Sequence, residues 1–223
     1  MRDGILIVNK PRDLTSHDVV AFARRKLKIK KVGHAGTLDP MATGVLVLLV
    51  GRCTRLFDTF LTFDKEYRAV LTLGSRTDTG DACGKVVEEK PAGEPSCAQV
   101  EAVFASFLGQ TLQVPPMYSA VKHKGKRLYK LALKGQEVER QARPIVIKEF
   151  SLLRCQLPEI EFILKCSRGT YVRQLAEDAA LKLGTVGHIS QLERRGVGPF
   201  RISESLSLDE IDESKIQPFY PFL

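Results

Sequence analysis

Residues 33–44, Gly-His-Ala-Gly-Thr-Leu-Asp-Pro-Met-Ala-Thr-Gly, set a single carboxylate, Asp39, among three glycines. Gly33, Gly36 and Gly44 permit positive φ or the close approach of another backbone, and Pro40 disfavours the helical region for Asp39. A loop built this way can be pinned in one shape, although an Asp-Pro step taken alone marks a turn far more often than a catalytic centre. A second charged group sits against its surroundings. Arg173 falls in the first turn of a helix predicted from Thr170, where the positive end of the helix disfavours a cation by about 0.3–1 kcal/mol. It is expected to answer a negative group, with Glu177 one turn on as the local alternative. Tyr67 stands on the apolar side of an alternating segment, which by pattern alone makes it a core residue. Asp78 and Asp81 lie three residues apart with no further ligands nearby, and no metal is predicted.

The elements that must position these residues are partly legible. Gly4 to Val8 reads as a short buried strand, and Thr15-Ser-His-Asp18 resembles a capping box opening a helix with Val19, Val20, Ala23 and Leu27 inward. Val45 to Val50 is apolar throughout, as expected of a strand inside a sheet. Lys65 to Leu73 alternates, with Tyr67, Ala69, Leu71 and Leu73 on one face; Ile160, Phe162 and Leu164 repeat the pattern. In the helix from Thr170, Val172, Leu175, Ala176, Ala179 and Leu183 share a side, and Gly184 ends it.

Composition narrows the class. The 223 residues are 43% hydrophobic and 27% charged, which excludes collagen-like, coiled-coil and wholly disordered chains. The longest apolar run is six residues, far short of the roughly 18–20 needed to cross a bilayer, so no membrane partner is expected. Five widely spaced cysteines without C-x-x-C suggest neither a disulfide framework nor a zinc ribbon and point to a reduced, cytoplasmic setting. The formal charge of +8 favours a polyanionic partner. Residues 24–31 carry six cations in eight positions, as a solvated helix end or as an RNA contact. Residues 122–143 carry eight, including Lys122, Lys124, Lys126, Arg127, Lys130 and Arg143, and read as a protruding hairpin or helix-loop able to lie along a phosphate backbone.

The string G-H-A-G-T-L-D-P-M-A-T-G-V-L closely resembles the active-site motif of the TruB-type tRNA pseudouridine synthases. K-E-Y-R at 65–68, G-S-R-T-D-T-G-D at 74–81, V-P-P-M-Y-S-A-V-K at 114–122, C-S-R-G-T-Y-V-R at 166–173 and L-E-R-R-G-V-G-P-F at 192–200 resemble further motifs in family order. One departure is local: Lys10-Pro-Arg-Asp13-Leu-Thr-Ser16 has Asp13 where the family usually has glycine, and Asp tolerates left-handed backbone better than most residues. The other is that bacterial members generally carry a C-terminal PUA domain, for which a chain ending at Leu223 has no room.

The resemblance implies an α+β fold with a mixed, largely antiparallel central sheet and flanking helices. It implies a single catalytic domain over 1–223, with a basic insertion at about 114–143 and no PUA domain. The activity it implies is isomerisation of uridine to pseudouridine at position 55 in the TΨC loop of tRNA, with the target base flipped out and no cofactor or metal. Asp39 matches the catalytic aspartate, Arg173 its arginine partner, and Tyr67 the residue that stacks on the target base. His34 matches a histidine that contacts the flipped nucleotide or fills the space it leaves. Tyr171 and Leu192 match positions that pack around the uracil, and Lys10 a lysine that supports the pocket. The basic stretches would grip the tRNA, and the protein is expected to be a monomer. A tRNA-folding chaperone with incidental isomerase activity is the alternative. A glycosidic hydrolase would need a second carboxylate as general acid, and none is evident in these motifs.

Overall fold

The computed structural model describes residues 3–219. In chain order the elements begin β1 (Gly4–Lys10), α1 (Ser16–Leu27), β2 (Val32–Ala35), β3 (Thr43–Val50), α2 (Phe57–Thr62), β4 (Lys65–Leu73), β5 (Ser75–Thr77), β6 (Val86–Glu89), α3 (Cys97–Ala105) and β7 (Gly109–Gln113). They continue with β8 (Lys122–His123), β9 (Lys126–Arg127), α4 (Leu128–Ala132), β10 (Arg143–Gln156), β11 (Glu159–Cys166), α5 (Val172–Lys182), β12 (Gly187–Val197) and β13 (Phe200–Arg201). The chain divides into two compact units, one made of residues up to Arg68 together with those from Leu192 onward, the other of Ala69–Gln191.

In the first unit β3 is the central strand, and Val45 to Val50 are all buried, as their unbroken apolarity predicts. β1 pairs with β3 antiparallel from Gly4↔Val50 to Lys10↔Gly44. β2 pairs with it antiparallel at residues 47–50, and β12 pairs with it parallel at Glu193↔Thr43 and Arg194↔Gly44. Ile5, Ile7, Val45, Val47, Leu49, Phe60 and Val197 form the core on one side, with Phe63, Phe200 and Phe219 packed against it. Helix α1 has the predicted capping box, Thr15 and Asp18 each accepting from the other's backbone N–H, and buries Val19, Val20, Ala23 and Leu27. Asp13 has φ +67°, the left-handed turn for which glycine is the usual solution.

The second unit carries the part of β4 from Ala69 to Leu73, then β11, β10 and β7 as neighbours in that order, with β11, β10 and β7 antiparallel. Apart from the parallel pair of β12 with β3, these strand pairs are antiparallel, the mixed, largely antiparallel α+β arrangement expected. Residues 65, 67, 69, 71 and 73 of β4 are buried and Arg68 is exposed, as the alternation predicts, while Val70 on the other face is buried as well. Helix α3, absent from the sequence reading, packs on β10 through Phe104, whose ring stacks on Phe150 at 3.8 Å with Phe162 edge-on to both. In the insertion, β8 and β9 form a two-residue hairpin whose turn residues, Lys124 and Gly125, both have positive φ, the backbone that matches strand twist. A short helix, α4, follows, and Lys122, Lys124, Lys126, Arg127, Lys130 and Arg143 are all exposed.

Phe104 is fully buried at the centre of this aromatic cluster. Phe104→Ala is expected to cost about 3–5 kcal/mol through lost burial and the cavity left behind, measured by urea unfolding.

Candidate active site

The Asp39 loop runs from the end of β2 to the start of β3 and has little ladder pairing of its own. Side chains supply what the ladder does not. Ser16, buried at the start of α1, donates from Oγ to the Leu38 carbonyl at 3.1 Å and accepts from the Leu38 N–H at 2.8 Å. The Lys10 ammonium, fully buried at the end of β1, donates to the carbonyls of Pro11 (2.8 Å), Leu14 (2.6 Å) and Pro40 (3.1 Å). The Asp13 N–H, in left-handed backbone, also reaches the Pro40 carbonyl at 2.9 Å. Within the loop, the Ala42 N–H closes a turn onto the Asp39 carbonyl at 3.0 Å.

Arg194 of β12 completes the frame and was not singled out from the sequence. It is 1% exposed, and its Nε donates to the Val45 carbonyl at 2.8 Å, Nη2 to Gly36 at 3.0 Å and Nη1 to Thr37 at 3.3 Å. Gly36 and Gly44 have φ of +89° and +101°, as the loop reading allows. Gly44 has a second reason to be glycine, since a Cβ would lie 2.3 Å from the Arg194 carbonyl oxygen. Gly33 meets neither requirement: its φ is not positive, and a Cβ would find its nearest neighbour, Thr54, at 3.9 Å.

Asp39 itself is half-buried. Its charge reaches Lys10, which it helps keep protonated, but burial outweighs that and the neighbouring Arg194 adds to the effect, bringing the Lys10 pKa down to about 8. His34 is likewise held below the ordinary imidazole value, first by burial and then by Arg194 and His17. The structure therefore groups Lys10, His34, Asp39 and Arg194 in the first unit. Tyr67 on β4 and Leu192 on β12 belong to the same unit and are buried.

Tyr171 and Arg173 belong to the second unit, at the start of α5. The Gln113 side chain fixes the Tyr171 backbone by accepting from its N–H at 2.8 Å and donating to its carbonyl at 3.0 Å. The Asp81 carboxylate lies 3.7 Å from Arg173 Nε, with both side chains buried; the sequence reading offers Glu177, and by resemblance Asp39, for this place, and not Asp81. Arg173 also donates to the carbonyls of Tyr118 (2.8 Å) and Thr79. Asp81 accepts in turn from Thr79 Oγ1 at 2.8 Å and the Cys83 N–H at 3.0 Å, while Asp78 accepts from the Lys85 N–H. These two aspartates build a turn. Among the described residues no cluster of three or more His, Cys, Asp or Glu side chains could hold a metal ion.

A carboxylate on a loop fixed in this manner can attack an electrophilic carbon or face a developing positive charge without first being ordered.

The profile of the TruB family pseudouridylate synthase N-terminal domain matches residues 24–172. Similar curated proteins include the tRNA pseudouridine synthase B of Opitutus terrae, 45% identical over 98% of this chain and 93% of that protein. Another, that of Clostridium tetani, is 48% identical over 97% of this chain and 75% of that protein. A chain in the crystal structure of a Cbf5-Nop10-Gar1 complex is 29% identical with a TM-score of 0.74, covering 93% of this chain. This chain spans about half the length of that one, 53%. The fold is that of the pseudouridine synthases. Within that class, the chain belongs to the TruB family of pseudouridylate synthases.

Two predictions follow from the buried charges. Asp81→Asn is expected to destabilise the chain by about 3 kcal/mol, the lower end for breaking a buried pair because two carbonyls still hold Arg173; urea unfolding measures it. For Lys10, three carbonyls need the three hydrogens of an ammonium, so the catalytic rate is expected to fall as pH rises through about 8. Stability runs the other way over that range. Folding lowers this pKa from 10.5 to about 8, so the unfolded chain binds the proton more tightly between those values and stability rises with pH across them. Rate and thermal melting measured together should diverge above pH 8, and Lys10→Met should remove that limb of the rate profile.

Proposed function

We propose that this chain isomerises uridine to pseudouridine at position 55 in the TΨC loop of tRNA. The observation that carries the reading is the Asp39 loop: the stretch that matches the family's active-site motif is also the one that Ser16, Lys10 and Arg194 hold in place. Relatives named tRNA pseudouridine synthase B at 45–48% identity support tRNA as the substrate. The reaction breaks the N1–C1′ bond, rotates the base and joins C5 to C1′; the proton leaves C5 and one is gained at N1, so composition is unchanged.

Asp39 is the catalytic carboxylate in this reading, Tyr67 lies against the base, and Arg173 completes the set. His34, Tyr171, Leu192 and Lys10 shape the uracil site. A stacked uridine has to be extruded before the chemistry can start, at a cost of a few kcal/mol that backbone contacts must offset. The exposed Lys122, Lys124, Lys126, Arg127, Lys130 and Arg143 are suited to supply those contacts to phosphates. Residues 1–223 are read as a single catalytic domain, working as a monomer in the cytoplasm. No helix among the described residues is long and apolar enough to cross a membrane.

Asp39→Asn tests the reading. With unmodified tRNA transcript, the wild type is expected to give a carbodiimide-dependent primer-extension stop at the TΨC uridine, and the variant a rate lower by at least about 10³-fold, the scale of losing an essential catalytic group. Equal stops from both would remove Asp39 from the mechanism, and tight binding without stops in the wild type would favour the chaperone reading.

A further inference from the structure

We propose that Arg194 is a positioning residue for the reaction, and that the forked shape of its guanidinium, rather than its charge, is what the Asp39 loop requires. The proposal rests on Asp39 being the catalytic carboxylate. Three features carry it. The guanidinium touches both sides of the loop, Gly36 and Thr37 before Asp39 and Val45 after it, so the two ends are fixed relative to each other by one planar group. Its origin is fixed as well, because the Arg194 backbone pairs in parallel with Gly44 and leaves no space there even for a Cβ. Finally, a positive charge alone is poorly suited to this place. Arg194 is 1% exposed, its three hydrogen bonds all go to neutral carbonyls, and a second buried cation, Lys10, is close enough to feel it. Burying like charges together is unfavourable, so the reason for a cation here lies in its donor geometry.

A lysine could keep the charge and serve one of the three carbonyls, leaving the others without this donor. The loop would then keep its approximate path while Asp39 gained freedom. Displacement of a reacting group by about 1 Å costs a reaction on the order of 100-fold.

The experiment uses the full chain and unmodified tRNA transcript. Arg194→Lys, Arg194→Gln and Asp39→Asn are compared with the wild type for single-turnover rate, tRNA affinity by filter binding and thermal melting, with rates taken where each variant is fully folded. The expected result is a rate about 30–100-fold lower in Arg194→Lys with tRNA affinity within about threefold of the wild type. Arg194→Gln, which keeps a planar amide donor without charge, is expected to lose no more rate than the lysine variant. A wild-type rate in Arg194→Lys beside an inactive Asp39→Asn overturns the proposal alone, because charge would then suffice. Parallel loss of rate and affinity overturns it in favour of a role in binding, and failure of both Arg194 variants to fold overturns it in favour of a role in stability. A wild-type rate in Asp39→Asn removes the reading of Asp39, and this proposal with it.

Discussion

Buried main-chain carbonyls must find donors, and in the loop between β2 and β3 most of those donors are side chains from distant parts of the sequence. The carbonyls of Gly36, Thr37 and Val45 take Arg194, Leu38 takes Ser16, and Pro40 takes Lys10 and the Asp13 N–H. A hydrogen bond from a charged donor is worth about 1.5–3 kcal/mol, roughly twice a neutral one. Burying each cation costs several kcal/mol unless its donors are satisfied. The loop and the cations thus depend on each other. Neither would be buried in this form alone, and both need β1, β3 and β12 already paired.

That dependence explains which parts of the molecule could be read from the sequence. The strands β1 and β3, the capping box of α1, the alternation of β4 and the stop at Gly184 are local patterns, and each is where its residues put it. The Asp39 loop was visible by composition and by its resemblance to a known motif. Arg194 was not singled out, because its partners are about 150–160 residues away. One signal was available: Arg194 shares the parity of Leu192 and Gly196 along β12, so the strand's alternation turns a cation inward. Helix α3 was missed for a different reason, since its nine residues gain their place from Phe104 meeting Phe150 and Phe162 rather than from a strong amphipathic pattern.

Arg173 shows how a locally unfavourable residue can be informative. The first turn of α5 is a poor position for a cation, and the structure answers it with the Asp81 carboxylate and two carbonyls. Asp81 could not have been assigned this part from its spacing to Asp78, which suggested only a weak metal pair. The turn they build fixes the Asp81 carboxylate through Thr79 and Cys83 as well as through Arg173. Conflict with local preference was thus a better guide to a long-range contact than any motif-free count of charges.

The net charge of +8 combines two populations of cations that composition cannot separate. Lys10, Arg173 and Arg194 are buried and serve main-chain carbonyls. Part of the basic run at 24–31 is also committed to the fold, with Arg24 donating to the Val32 carbonyl at 2.6 Å and Lys26 reaching the carbonyls of Leu208 and Asp209. The cations from Lys122 to Lys130, on the hairpin and in α4, are exposed, and their charge remains available to a polyanion. Buried cations are insulated from salt while exposed ones are screened within about 10 Å at 0.1 M. Under the proposed function, ionic strength therefore acts on the capture of RNA far more than on the geometry of the Asp39 loop, and the two uses of positive charge in this chain are separable in physical terms.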